Sequence, residues 1–190
     1  PVDIAENEES RKAYRRASTE VHNLQAQEFR KSCRTRMTME AVARFKDRDK
    51  FYIPWSFDYR GRAYPIPAFL TPQDTDFGKS LLLFAEGSEM TNEAKKWLSF
   101  QVATTFGLDK ATIEERWEWT DNNTHLISCV ASDPILHIHE WETADEPWQF
   151  LAACDEYYHC VLKRDRSLTT LCVATDATCS GLQILAGLAR

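Results

Sequence analysis

The chain has 190 residues, 43% hydrophobic and 27% charged, with six glycines and seven prolines; this is a globular composition with material for a real core, and it excludes a low-complexity or fibrous chain. No apolar run reaches the roughly 18 to 20 residues that cross a bilayer, and no signal-peptide pattern opens the sequence. The net charge of −6 by itself argues against nucleic acid, yet residues 1–64 hold 14 of the 23 Lys/Arg and 10 of the 29 Asp/Glu, a net of +4 that leaves −10 on the remainder.

Residues 7–31 are strong helix formers without Gly or Pro, and their spacing predicts one buried side carrying Tyr14, Val21, Leu24 and Phe29. RKSCRTR (30–36) interrupts the apolar stripe, and MTMEAVARF restores it as a second helix ending near Asp47. The charges of 11–50 suit a solvated face or a phosphate-contacting one equally well. FYIPWSFDYRGRAYPIPAFL (51–70) changes character: aromatics, β-branched residues and three prolines predict short, irregular strands with turns. LTPQDTDFG (70–78) reads as a loop.

Helical pattern returns at Lys79–Ala85, and again at Asn92–Phe106 between a Thr91 cap and Gly107. Thr112 and Glu115 form a capping-box pattern opening a helix to about Val130. Pro147 opens another, Trp148 to about Leu162. Ser167–Thr175 reads as a strand, with a further helix starting near Ser180. The fold class predicted is α+β and α-rich.

Two segments carry candidate chemistry. In DYRGR (58–62) two arginines flank a glycine on a Pro-stiffened, aromatic loop; Gly61 permits close backbone approach and Arg forks suit phosphate. On spacing alone, an Arg–Asp ion pair stapling the loop is the simpler reading. In TDATCSGLQILAG (175–187) an apolar strand ends on Asp176. A helix N-cap is the plain explanation for that acid. The apolar strand before it and the small residues Ala177 to Gly181 favour another: a strand-end carboxylate with the Ala177 carbonyl beside it offers Mg²⁺ the hard oxygens it takes.

His137-Ile-His139 with Glu140 and Glu142 resembles a chelating pair on a strand, but no Cys or further His lies at ligand spacing, and a His-rich surface loop is the simpler reading. Trp117, Trp119, Trp141 and Trp148 read as core or lids on it rather than stacking platforms. The six cysteines (33, 129, 154, 160, 172, 179) form no C-x-x-C pair and suit reduced, buried thiols in an intracellular protein; Cys154 and Cys160 read as packing.

Together the two segments resemble the single-subunit, phage-type DNA-dependent RNA polymerases. FYIPWSFDYRGRAYPI (51–66) is similar to that family's D-x-x-G-R block with its aromatic lead-in, and TDATCSGLQ (175–183) to its motif A, usually D-G-S-C-S-G-[I/L]-Q. Pro72-Gln73, Lys79 and Gly107–Lys110 fall between them in family order. The resemblance implies part of a right-hand polymerase: the end of a thumb-like helical segment (1–48) and the first part of a palm (49–190), with a helical subdomain at about 88–165.

It further implies DNA-templated RNA synthesis from ribonucleoside triphosphates with two Mg²⁺ ions. Asp176 and the Ala177 carbonyl are the metal ligands it assigns here, with a second Asp lying outside these residues. Arg62, Gly61 and Tyr64 are assigned to the template–product duplex, Lys79 to the same surface, and Lys110 to the triphosphate. The basic stretch Arg30–Arg36 is expected along the hybrid's backbone. The expected partners are DNA template and promoter, nascent RNA and ribonucleoside triphosphates, with no membrane and a monomeric full-length enzyme.

Ala177 stands where the family usually has Gly, Cys172 where it has Pro, and Ile184 where it has His. These departures suggest the phage branch and the host cytoplasm, with the mitochondrial matrix as second choice. The sequence reads as a piece of a longer chain that is inactive alone. The rival reading is a non-enzymatic helical module that docks on nucleic-acid phosphate through its basic third.

Overall fold

A single helix, α1 (Glu8–Phe45), starts at Asn7, whose side chain accepts the N–H groups of Glu9 and Ser10 at 3.0 and 3.5 Å. In the computed structural model, which describes residues 7–175, it belongs to the first of two compact units, residues 1–74 and 75–190. The interruption expected at RKSCRTR does not occur. Lys and Arg are good helix formers, and no Gly or Pro is present to stop propagation. The buried face expected at Tyr14, Val21, Leu24 and Phe29 is absent too, for all four are exposed. An apolar stripe buries itself only where a second layer meets it, and the first unit supplies one only lower down, at the fully buried Thr38.

There the loop before the unit boundary folds onto α1 around Asp74. One oxygen of that buried carboxylate accepts Arg34 Nε and Nη2 at 2.9 and 2.7 Å; the other accepts the Leu70 N–H at 2.8 Å and the Thr38 hydroxyl at 3.5 Å. Leu70 sits in the left-handed region at φ 54°, a conformation that costs a branched residue about 1 to 2 kcal/mol and persists because these bonds hold it. Between α1 and this loop, the aromatic segment forms the expected short strands: β1 (Trp55–Phe57) pairs antiparallel with β2 (Ala63–Pro65), placing Ser56 opposite Tyr64.

The second unit opens with α2 (Asp76–Ser80), capped by Thr75, and then a strand, β3 (Leu83–Glu89). A helix was expected over Lys79–Ala85. Leu, Ala and Glu do favour helix, but the segment pairs antiparallel with β4 (Leu168–Leu171), and that tertiary pairing overrides local preference. β4 is shorter than the Ser167–Thr175 strand expected, because the ladder ends at Leu83↔Leu171.

The helices follow their caps. α3 (Asn92–Phe106) runs from the Thr91 cap to Gly107, whose φ of 139° suits only glycine. The Thr112/Glu115 capping box opens α4 (Ile113–Asn122). The helix expected to continue to Val130 breaks at Asn123, and α5 (Thr124–Ser132) follows as a separate piece. A short α6 (Ile138–Trp141) precedes α7 (Pro147–Tyr157), which winds on as a π turn, Tyr158–Leu162. The core of the unit is Leu98 and Val102 of α3, Ile127 and Val130 of α5, and Phe150, Cys154 and Tyr157 of α7. The described residues are therefore helix-rich α+β with two small antiparallel sheets.

Candidate functional site

In the first unit, DYRGR is the turn between β1 and β2. The Asp58 carboxylate accepts the backbone N–H of Arg60 at 2.8 Å and of Arg62 at 2.9 Å, while the Gly61 N–H donates to the Asp58 carbonyl at 3.0 Å. The Arg–Asp ion pair suggested by spacing does not form: the acid spends its oxygen on backbone, as aspartates in turns do. Gly61 has φ 77°, and nothing lies within 4 Å of where a Cβ would stand. Its glycine is thus required by conformation, and the space over it is open.

Both guanidinium groups are released as a result. Arg60 lies over the Tyr59 ring, 5.2 Å from its centroid, and Arg62 has no side-chain partner among the described residues. Phe57 and Tyr59 are exposed on the same hairpin, and Tyr64 is half-exposed. Exposed aromatics interleaved with free arginines offer base stacking and phosphate contact together. Gly61, Arg62 and Tyr64 are brought onto one hairpin. Of the basic stretch 30–36, Arg34 is committed to Asp74 and Arg30 Nε donates to the Ala26 carbonyl at 3.1 Å.

In the second unit, Lys79 lies in the last turn of α2 and stands 3.9 Å from Glu146, a half-exposed pair worth little in water. Lys110 lies on a different element, the exposed turn after α3, with no partner among the described residues. That turn is clamped by a residue that spacing did not flag. Arg116, buried at 8% exposure, donates to the carbonyls of Asp109 and Ala111 and to the Thr104 hydroxyl, and lies 4.5 Å from the Phe100 ring centroid.

Asp176 and Ala177 lie outside the described residues, but the strand leading to them does not. Glu156 on α7 accepts the Thr169 hydroxyl at 2.7 Å and the Thr170 N–H at 3.0 Å, and Arg166 holds its other oxygen at 3.0 Å. The turn into β4 has its own clamp: Asp165 bonds His159 and Lys163 and is held at about pKa 2, by the Lys163 bond first and then His159. No signal in the sequence marked Glu156, because its partner is a backbone 14 residues on.

The remaining candidates resolve as structure. His137 and His139 sit at and in α6, not on a strand, and pair with Glu140 at 3.1 Å and Glu142 at 2.6 Å; among the described residues no cluster of three or more His, Cys, Asp or Glu is placed to hold a metal. Trp141 is buried and donates to the Pro134 carbonyl, Trp119 stacks on Phe106, and Trp117 donates to the Lys96 carbonyl. Trp148, half-exposed, packs on Trp141 and Phe77. Cys154 and Cys160 are core thiols; burial raises both, Cys160 to about 11.

Residues 88–190 match the family model described as DNA-dependent RNA polymerase. The chain is 34% identical over 158 residues to the mitochondrial DNA-directed RNA polymerase of Neurospora crassa, covering 82% of this chain and 11% of that one. It is 31% identical over 193 residues to the DNA-directed RNA polymerase of Enterobacteria phage T3, covering 100% of this chain and 21% of that one. A third relative, DNA-directed RNA polymerase 2, chloroplastic/mitochondrial, of Arabidopsis thaliana, is 32% identical over 83% of this chain and 16% of its own length. The chain thus spans 11 to 21% of the length of these relatives. Phage and organellar relatives match equally well, so similarity does not single out the phage branch that the three departures suggested.

Proposed function

The chain belongs to the DNA-dependent RNA polymerase family, and from that premise we propose that it is part of a longer enzyme that builds RNA on a DNA template from ribonucleoside triphosphates. The observation that carries the reading is the family match over residues 88–190, a span that includes β4 and Asp176. The right-hand assignment follows with it: 1–48 as the end of the thumb, 49–190 as the first part of the palm, and 88–165 as its helical subdomain.

Asp176 and the Ala177 carbonyl are hard oxygen donors of the kind Mg²⁺ takes. Asp176 and the Ala177 carbonyl would hold Mg²⁺, and a pair of such ions would supply activation of the RNA 3′-hydroxyl and charge neutralisation at the departing pyrophosphate. The chain's own residues do the rest. β4, held by Glu156, leads towards the carboxylate five residues beyond its end. The hairpin presents Arg62 and Arg60 to phosphate and its tyrosines to bases or sugars, with Gly61 leaving the backbone open to approach. Arg116 holds the turn on which Lys110 offers the triphosphate a point charge. Lys79 of the second unit, 3.9 Å from Glu146, is a further candidate contact for nucleic acid. One carboxylate and one carbonyl do not hold two metals, so residues 1–190 alone do not extend a primer.

The test is Asp176→Ala in the complete polymerase. Loss of RNA synthesis with template binding retained is expected. Synthesis at the parent level would sink the reading and favour the helical module that docks on phosphate.

A further inference from the structure

Gln101 is a polar residue on the core side of α3, flanked by Leu98 and Val102, and only 3% exposed. An amide costs free energy at such a position unless its polar atoms are bonded. Its Oε1 accepts the backbone N–H of Ala174 at 3.2 Å, a partner 73 residues away. The bond falls where the sheet gives out. β3 pairs β4 only as far as Leu171, and among the described residues no backbone–backbone hydrogen bond holds 172–175.

Upstream of that gap, Glu156 grips Thr169 and Thr170. Beyond it comes Asp176. α3 is a firm base for such a bond, because it is capped at both ends and packs into the core through Leu98 and Val102. A leucine or methionine would fill this place in α3 without the cost of desolvating an amide. What the glutamine adds is an acceptor for an N–H on the chain that leads out of the sheet.

We propose that Gln101 is a positioning residue for nucleotide addition. From the helical layer it sets the backbone two residues before Asp176, and through it the place of the metal-binding carboxylate. The proposal rests on the polymerase reading above.

It is tested in the complete polymerase with Gln101→Met, which keeps length and apolar volume but removes the acceptor, and with Gln101→Glu, which keeps an oxygen there in either protonation state. A misplaced catalytic group costs up to about a hundredfold in rate, and a shift of part of an ångström is expected to cost about tenfold. Gln101→Met is therefore expected to lower kcat about tenfold with KM for template unchanged. It is also expected to weaken Mn²⁺ binding in a direct titration, and to speed amide exchange in 172–175 while 168–171 stays protected. Gln101→Glu should restore all three to near the parent.

Parent-like Mn²⁺ binding and exchange in a folded Gln101→Met protein would overturn the proposal. If that variant does not fold, Gln101→Glu decides: loss of Mn²⁺ binding in a folded protein overturns it, and retention supports it. Asp176→Asn separates the two readings. If Asp176→Asn leaves synthesis intact, the polymerase reading itself has failed. If it abolishes synthesis while Gln101→Met is at the parent level, only the positioning role has failed.

Discussion

The turn at Asp58–Arg62 and the strand that approaches Asp176 are held by opposite means. The turn holds itself: one carboxylate accepts two N–H groups no more than four residues away, and one glycine takes the left-handed φ. Its arginines and tyrosines are left exposed for other work. The strand is held by others, by Glu156 on α7 and Gln101 on α3, both buried, and by pairing with β3. A self-contained turn presents groups to a large flexible partner and tolerates some play. On the proposed reading the carboxylate beyond the strand holds metal ions and needs a fixed backbone, and fixed backbone comes from a core.

That contrast can be broken most forcefully in the core. Phe150→Ala empties the centre of the second unit, where Phe150 is fully buried and packs on Phe106 at 5.2 Å. It should destabilise that unit by about 3 to 5 kcal/mol. Hydrogen exchange should rise across 168–174 and stay unchanged across 58–62; equal rises in both would refute the division.

The converse change is Asp58→Ala, which leaves the N–H groups of Arg60 and Arg62 without their acceptor. The expected cost is about 1 to 2 kcal/mol confined to the hairpin, read as faster exchange at those two amides with the unfolding of the second unit unmoved. Gly61→Ala sharpens the point further. The space is open, so steric clash contributes nothing, and the expected loss of about 1 kcal/mol is conformational. If it instead weakens binding of a DNA–RNA duplex far beyond that, close approach of the backbone is the dominant reason for the glycine.

The smallest effect concerns the turn into β4. The folded-state pKa of Asp165 is depressed to about 2, by its bonds to Lys163 and then His159. The stabilisation it gives is therefore fully present above the ordinary carboxylate value of 3.8 and is lost as pH falls towards 2. Acid titration followed by exchange at the Asp165 amide, which donates to the His159 carbonyl, should show a step in that window that Asp165→Asn removes.

What the sequence by itself determined is what short-range chemistry controls. Thr91 and Gly107 bound α3, Thr112 and Glu115 box the start of α4, and Pro147 opens α7, because a cap needs partners only three or four residues away. The aromatic, Pro-rich segment had to be short strands around a glycine turn. The two segments on which the family resemblance was read are short contiguous strings for the same reason.

Only the tertiary structure decided the rest. It turned Leu83–Glu89 from expected helix into strand and broke the helix at Asn123. It left Tyr14, Val21, Leu24 and Phe29 uncovered. It recruited Asp74, Arg116, Gln101 and Glu156 to hold backbone. Arg116 reaches back 5 and 7 residues, Glu156 ahead 14, Asp74 back 40 to Arg34, and Gln101 ahead 73. No local pattern encodes those separations: whether a buried polar side chain is an error or a brace depends on which distant N–H or carbonyl the packed core brings to it.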